Sequence, residues 1–546
     1  MNIQRKRIGS VLLLLAVSLL PVMAQATGYT WSGTTSNAWN DNTNWGGAGF
    51  PNAYTDTATI GTVILNTPVT LSTTALLGAA SGTVLTLSNI AGSAIGLDIT
   101  GTGLLGVQGN IVLSSGTTNG RKITIEGTLR NDAASSATTY TISGGTNAGD
   151  IIQLVGGTIS SLNGGKWTFS RPVQGYGTIS SVFTGTVLAN VAGQTLHITN
   201  PLVSIGAASL TNTGGILSLE GITLSGGALT TTGSGVTLLL GTTSTGGTIV
   251  STAGETDLNG ATLNGVTNMS GNVKLTGDSA VNTGGISNML FNGHKLDVTG
   301  TITNYGSIHV DAGTLNNAAT SGTTTVGNSN FLYLTGGSIT NTGGSTLVLG
   351  TNISGYGSVS GVASQTYAFI ANGGTLTVDG GAGIALGTHA GSGVTMQANA
   401  SSTLDLKGTL NVINPGLIYP TTGAVALDGV TINTYDPTGG AGGTPITWNE
   451  TVNTGAVNVV ANSTLIGKFT STAALTINSG INLNAAGATF INSSGGTVNN
   501  NGGTAAWGDF TNSGTYTSTM STQTFNSLTI ANGSVTIGDG DQYEIN

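Results

Sequence analysis

Aliphatic and polar residues alternate along most of this chain in runs of roughly four to six. Thr195-Leu196-His197-Ile198, Lys295-Leu296-Asp297-Val298, Thr375-Leu376-Thr377-Val378 and Thr403-Leu404-Asp405-Leu406 are examples. A period of two puts Leu196, Ile198, Leu376 and Val378 on the buried face of extended strands and the intervening residues outside. The β-branched content suits such strands. Glycine and asparagine close the runs because both tolerate positive φ at tight corners. Asn212-Thr213-Gly214-Gly215, Asn282-Thr283-Gly284-Gly285 and Asn341-Thr342-Gly343-Gly344 read as one corner used three times. Glycine interrupts nearly every ten-residue window and strong helix formers are scarce, so no helix is predicted beyond the N-terminal leader.

The runs also repeat over a long distance. Gly175-Tyr176-Gly177-Thr178-Ile179-Ser180 returns as Gly355-Tyr356-Gly357-Ser358-Val359-Ser360, 180 residues on. Gly156-Gly157-Thr158-Ile159 returns at the same displacement as Gly336-Gly337-Ser338-Ile339, and Gly193-Gln194-Thr195-Leu196 as Gly373-Gly374-Thr375-Leu376. An ungapped echo of this length indicates stacked similar units. The predicted fold is all-β, a right-handed parallel β-helix (a β-solenoid) whose windings are roughly 20–25 residues long. Tandem β-sandwiches are the alternative; their strands run longer and need wider loops.

Composition sharpens this picture. Of 546 residues 90 are glycine and only 6% are charged, while 38% are hydrophobic. Disorder combines low hydrophobicity with high charge, so this mixture has apolar material to bury. Arg5-Lys6-Arg7, the apolar stretch Val11 to Leu20 and Ala24-Gln25-Ala26 make residues 1–26 a secretion signal with a small-x-small cleavage site. The apolar stretch is too short for a membrane span, and no later one is long enough, so the mature chain has no membrane span. After cleavage nine Lys+Arg face 21 Asp+Glu, a formal charge of −12. Scattered basic residues exclude nucleic acid as a partner, because phosphate neutralisation needs clusters. The absence of cysteine excludes disulfide staples and a lipid-anchored N-terminus.

Three of the six tryptophans, Trp31, Trp39 and Trp45, lie close together after the leader. They read as a hydrophobic cap over residues 27–65 that covers the first exposed strand edge; a sugar-binding aromatic platform is the competing reading. The sequence Trp31-Ser32-Gly33…Trp39…Asn44-Trp45…Pro51…Asp56-Thr57-Ala58-Thr59-Ile60 resembles the opening of secreted bacterial proteins with autotransporter-passenger-like β-strand repeats, and the Gly-x-Thr-Leu-x-Val phrase is similar to their repeat. That resemblance implies a parallel β-helix, secretion or bacterial cell-surface display, and an adhesin-like or matrix role, with surface glycans or other matrix proteins as partners. The chain departs from the pattern at Asp539-Gly540-Asp541-Gln542-Tyr543-Glu544-Ile545-Asn546, where such proteins carry a membrane barrel. No Pro-Glu-Pro sorting tail is evident, and Asn414-Pro415-Gly416 lacks the spacing of the two-partner secretion signature. The sequence carries no cue to oligomeric state.

Repeats are expected over 66–412 and 448–546, the latter as a continuation or a second rod. Between them, 413–447 is a Pro/Gly-rich joint or loop. Pro415, Pro420, Pro437 and Pro445 fall there, and 437–445 cannot pair as a central strand.

Candidate chemistry is sparse. Polysaccharide lyases and hydrolases also use parallel β-helices and need paired carboxylates, or a base facing a cation-held substrate. His294, Lys295 and Asp297, with His309 and Asp311 one phrase later, form the densest polar cluster. Alternation puts Lys295, Asp297, His309 and Asp311 outside, where the two strands are expected to meet on adjacent windings or to form separate solvated ladders. His197 aligns with Thr377 across the echo, which argues for a surface role. Glu255-Thr256-Asp257 and Asp539-Gly540-Asp541 with Glu544 offer oxygen ligands for calcium but lack a full loop. Outward threonine rows also suit a crystal surface such as ice. The reading adopted is a structural or adhesin-like protein, not an enzyme, with no catalytic, cofactor-binding or metal-binding residue assigned.

Overall fold

The computed structural model describes residues 27–33, 36–46, 49–60, 67–88, 96–114, 120–144, 149–199, 204–205, 209–264, 266, 268–282, 284–387, 394–413, 416–436, 440–441, 446–448 and 456–546. The leader 1–26 and part of the Pro/Gly-rich stretch, Pro415, Pro437 and Pro445 included, lie outside them, whereas Gly416–Pro420 and Ala424–Asp436 of that stretch are strands. The chain divides into two compact units, Met1–Leu188 and Ala189–Asn546. Both are all-β, and the one helical element described is the short 3-10 turn Asn42–Trp45. Among the described residues no helix is long and apolar enough to cross a membrane.

In the first unit, parallel pairing stacks like on like. Val69, Leu97, Ile123, Ile152 and Val173 are successive register partners and all are fully buried. Leu105, Leu129, Ile159 and Ile179 form a second column, and Ala58, Leu85, Ile111 and Ile142 a third. The alternation of each strand thereby becomes a continuous apolar core, and the opposite face becomes a polar ladder. At the start of this unit Trp31, Trp39 and Trp45 are buried against one another, with ring centroids 4.9 Å apart in both the Trp31–Trp45 and Trp39–Trp45 pairs. Trp39 Nε1 donates to Pro51 O at 3.0 Å and Trp45 Nε1 to Trp39 O at 2.6 Å. None of the three offers an open face to a sugar.

The second unit follows the same rule at greater length. Leu196, Leu217, Thr237, Thr256, Val273, Met289, Ile308, Leu332, Ile353, Phe369 and Met396 are successive inward partners. Leu376, Leu404, Val425, Val457, Leu475, Val498 and Tyr516 form another column. Leu196, Ile198, Leu376 and Val378 are buried, as the alternation predicts. In these two columns the step between partners varies from 16 residues (Val273 to Met289) to 32 (Val425 to Val457), a wider spread than the expected 20–25. Pairing of Val425 with Val457 carries the column past the Pro/Gly-rich stretch, from which Tyr435 and Ala441 are paired antiparallel. That is the one antiparallel pair among the described residues, whereas sandwiches are built from such pairs.

The 180-residue echo has a structural cause. Gly175 (φ 119°) and Gly355 (φ 126°) hold backbone that side-chain-bearing residues rarely adopt. A Cβ would stand 2.0 Å from Leu154 O at the first and 1.8 Å from Leu334 O at the second. At both places the preceding strand carries a glycine pair, and a Cβ on Gly156 or Gly336 would lie 3.5 Å from the ring of Tyr176 or Tyr356. The two segments are the same bulge, and the register shifts at each.

Candidate functional site

Outward residues in the second unit line up from strand to paired strand because their inward neighbours do. One such row runs His197, Ser218, Leu238, Asp257, Lys274, Leu290, His309, Tyr333 and Ser354. Two positions earlier on each strand, a parallel row runs Val236, Glu255, Asn272, Asn288 and Ser307. Between these rows lies a depression of about 400 Å³ lined by Glu255, Asn272, Lys274, Asn288, Ser307 and His309. It rests on the strands Thr248–Asn259, Asn268–Leu275, Gly284–Leu290 and Ile302–Asp311.

On one side the depression is lined by Leu290 and His309, and an aromatic stack continues from His309 beyond it. His309 stacks on Tyr333 with centroids 4.9 Å apart and planes at 20°, and Phe331 stacks on the same tyrosine at 5.6 Å and 19°. Leu290 and Phe331 are 39% and 37% exposed, unusual for large apolar side chains on an otherwise Thr/Ser/Asn surface. The other side carries charge. Lys274 Nζ lies 3.7 Å from Glu255 Oε1, and Asp257 neighbours Lys274 in register. Asp257 is only 8% exposed, and its Oδ1 is buried without a hydrogen-bond partner. Burial, followed by its hydrogen bond to Glu255 and that residue's charge, pushes the Asp257 carboxyl up to about 6; Lys274 opposes the rise. Thr256, between the two acids, points into the core.

The polar cluster picked out by the sequence is divided. Lys295 and Asp297 pair with each other at 2.9 Å, and Asn316 Nδ2 donates to Asp297 at 2.7 Å. That ion-paired hydrogen bond from Lys295 to Asp297 is the main reason the ammonium is held above its usual range. Their register partners on the strand Thr314–Asn317 are Thr314 and Asn316, not His309 and Asp311. His294 lies 3.9 Å from Asp278, and Asp311 accepts the Asn292 N–H at 2.6 Å, closing a corner. His309 alone of the five reaches the depression.

His197 sits outside, with Nδ1 2.6 Å from Glu220 Oε1, which also accepts from Ser218 Oγ at 2.8 Å. Burial alone would raise the Glu220 carboxyl; these hydrogen bonds outweigh it and hold it low. Asp541 is likewise consumed locally, accepting from Ser518 Oγ, Ser521 N, Ser521 Oγ and Gly538 N. No group of three or more His, Asp or Glu among the described residues is arranged to hold a metal ion.

Lys274, Leu290, Phe331, Tyr333 and the asparagine row escaped sequence reasoning. Their rank in a row depends on the uneven sequence offsets between paired strands, which a fixed period cannot count. No family model matches this chain, and neither a curated protein nor a solved structure does.

Proposed function

We propose that this protein is an exported, non-catalytic structural or adhesin-like element of the bacterial cell surface or extracellular matrix, built as a right-handed parallel β-helix. The observation that carries the reading is the unbroken inward column from Leu196 to Met396, backed by an outward face of short polar side chains. Such a stack is stiff, depends on neighbour contacts alone, and exposes a long repetitive surface. The Val11–Leu20 stretch and Ala24-Gln25-Ala26 support export. Expression of the full chain in a Gram-negative host tests it. Mature protein starting near Thr27 is expected outside the cytoplasm, and an uncleaved cytoplasmic chain would overturn the reading.

One observation favours a second reading, a polysaccharide hydrolase: two carboxyls two positions apart, Glu255 and the largely buried Asp257, stand beside a depression that Glu255 lines. Release of reducing ends from a polysaccharide, abolished by Glu255→Gln, would establish it and end the non-catalytic reading.

A further inference from the structure

We propose that the depression between Glu255 and His309 is a binding groove for one chemical class of ligand, an extended neutral polysaccharide laid across the windings with its sugar faces on the His309–Tyr333–Phe331 stack. The inference rests on the adhesin-like reading above and assigns it a place and a ligand.

Periodicity is the first argument. Glu255, Asn272, Asn288 and Ser307 repeat once per winding, at the roughly 4.8 Å spacing of paired strands. The row therefore spans about 14 Å. A site that presents one polar group per step fits a ligand that presents hydroxyls at regular steps. Each asparagine amide both donates and accepts, as does a sugar hydroxyl. Asn288 uses Oδ1 to accept the Ser307 N–H at 3.1 Å, so its NH2 is what it offers a ligand.

Surface chemistry is the second argument. Three rings stacked nearly parallel, with Phe331 and Leu290 exposed, form an apolar shelf beside a polar row. A pyranose has that same division, with C–H groups on its faces and hydroxyls around its edge. Concave sites that combine an apolar wall with a few convergent polar groups are the usual form of ligand pockets.

Charge decides between neutral and acidic polymers. Lys274 is paired with Glu255 at 3.7 Å and stands beside Asp257, so the floor offers no unpaired cation. The chain carries a net charge of −9, which repels polyanions at long range.

The test is affinity electrophoresis of the full chain through gels containing soluble xylan, galactomannan, mixed-linkage β-glucan or, as the acidic comparison, polygalacturonate. Retardation by at least one neutral polymer is expected, weakened at least tenfold by His309→Ala and by Asn288→Ala. Both side chains are outward, and unchanged circular dichroism would show that the variants fold. Lys295→Ala, on a different strand, should migrate as the parent does. No retardation in any neutral gel, retardation by polygalacturonate alone, or retention of binding in both groove variants would overturn the groove. An exported protein that fails this test refutes only the groove, whereas an uncleaved cytoplasmic chain refutes the adhesin-like reading whatever the gels show.

Discussion

Asp257→Asn should make the protein more stable at neutral pH and leave its stability unchanged in acid. In the folded chain the carboxyl is wedged between Leu238 and Lys274 in its row and shares a proton with Glu255. It therefore keeps that proton up to about 6, against 3.8 for the ordinary group. The unfolded chain binds fewer protons than the folded one between these values, so stability falls as pH rises through the window. Below about pH 3.8 both states are protonated and nothing is lost; above about 6 the full penalty applies. A tenfold change in a protonation equilibrium is worth about 1.4 kcal/mol. The penalty is then at most about 3 kcal/mol, the opposing attraction of Lys274 being already included in the shift. Asparagine keeps the shape and the hydrogen bond to Glu255 but has no charge to desolvate. Urea unfolding followed by circular dichroism at pH 3.5 and 7.5 measures the difference. A variant that is no more stable than the parent at pH 7.5, or that gains equally at both pH values, would refute the account of a buried, proton-sharing acid.

Two further predictions concern the scaffold. Gly355→Ala should cost at least about 3 kcal/mol, because φ is 126° and a Cβ would collide with Leu334 O at 1.8 Å, whereas Gly193→Ala should cost only about 1 kcal/mol, since φ is 70° and nothing lies within 4 Å. Equal losses in urea unfolding would sink the bulge explanation of the echo. Trp39→Ala should cost about 3–5 kcal/mol by removing a buried ring and the bond to Pro51 O, and a thermal midpoint unchanged from the parent would contradict the packing described for the first unit.

Much of the architecture was legible in short stretches of sequence. Period-two alternation named the buried faces at Leu196, Ile198, Leu376 and Val378, because strand geometry alone assigns odd and even positions to opposite sides. The Gly-Tyr-Gly echo marked a real bulge, since only glycine fits backbone at those φ values against a neighbouring carbonyl. The tryptophans of the opening segment are buried, as large apolar rings in a polar chain should be.

Which residues become neighbours across paired strands was decided only by tertiary structure. Among the described pairs the parallel partner lies 14 to 33 positions away, as Val173–Val187 and Thr431–Thr464 show, and that distance changes from one pair of strands to the next. A local pattern does not encode such offsets, so Lys295 and His309, close in sequence, end on different rows, while Glu255, Asn272, Asn288 and Ser307 align. Alternation tells which way a side chain points; the register of one strand against the next determines what it meets.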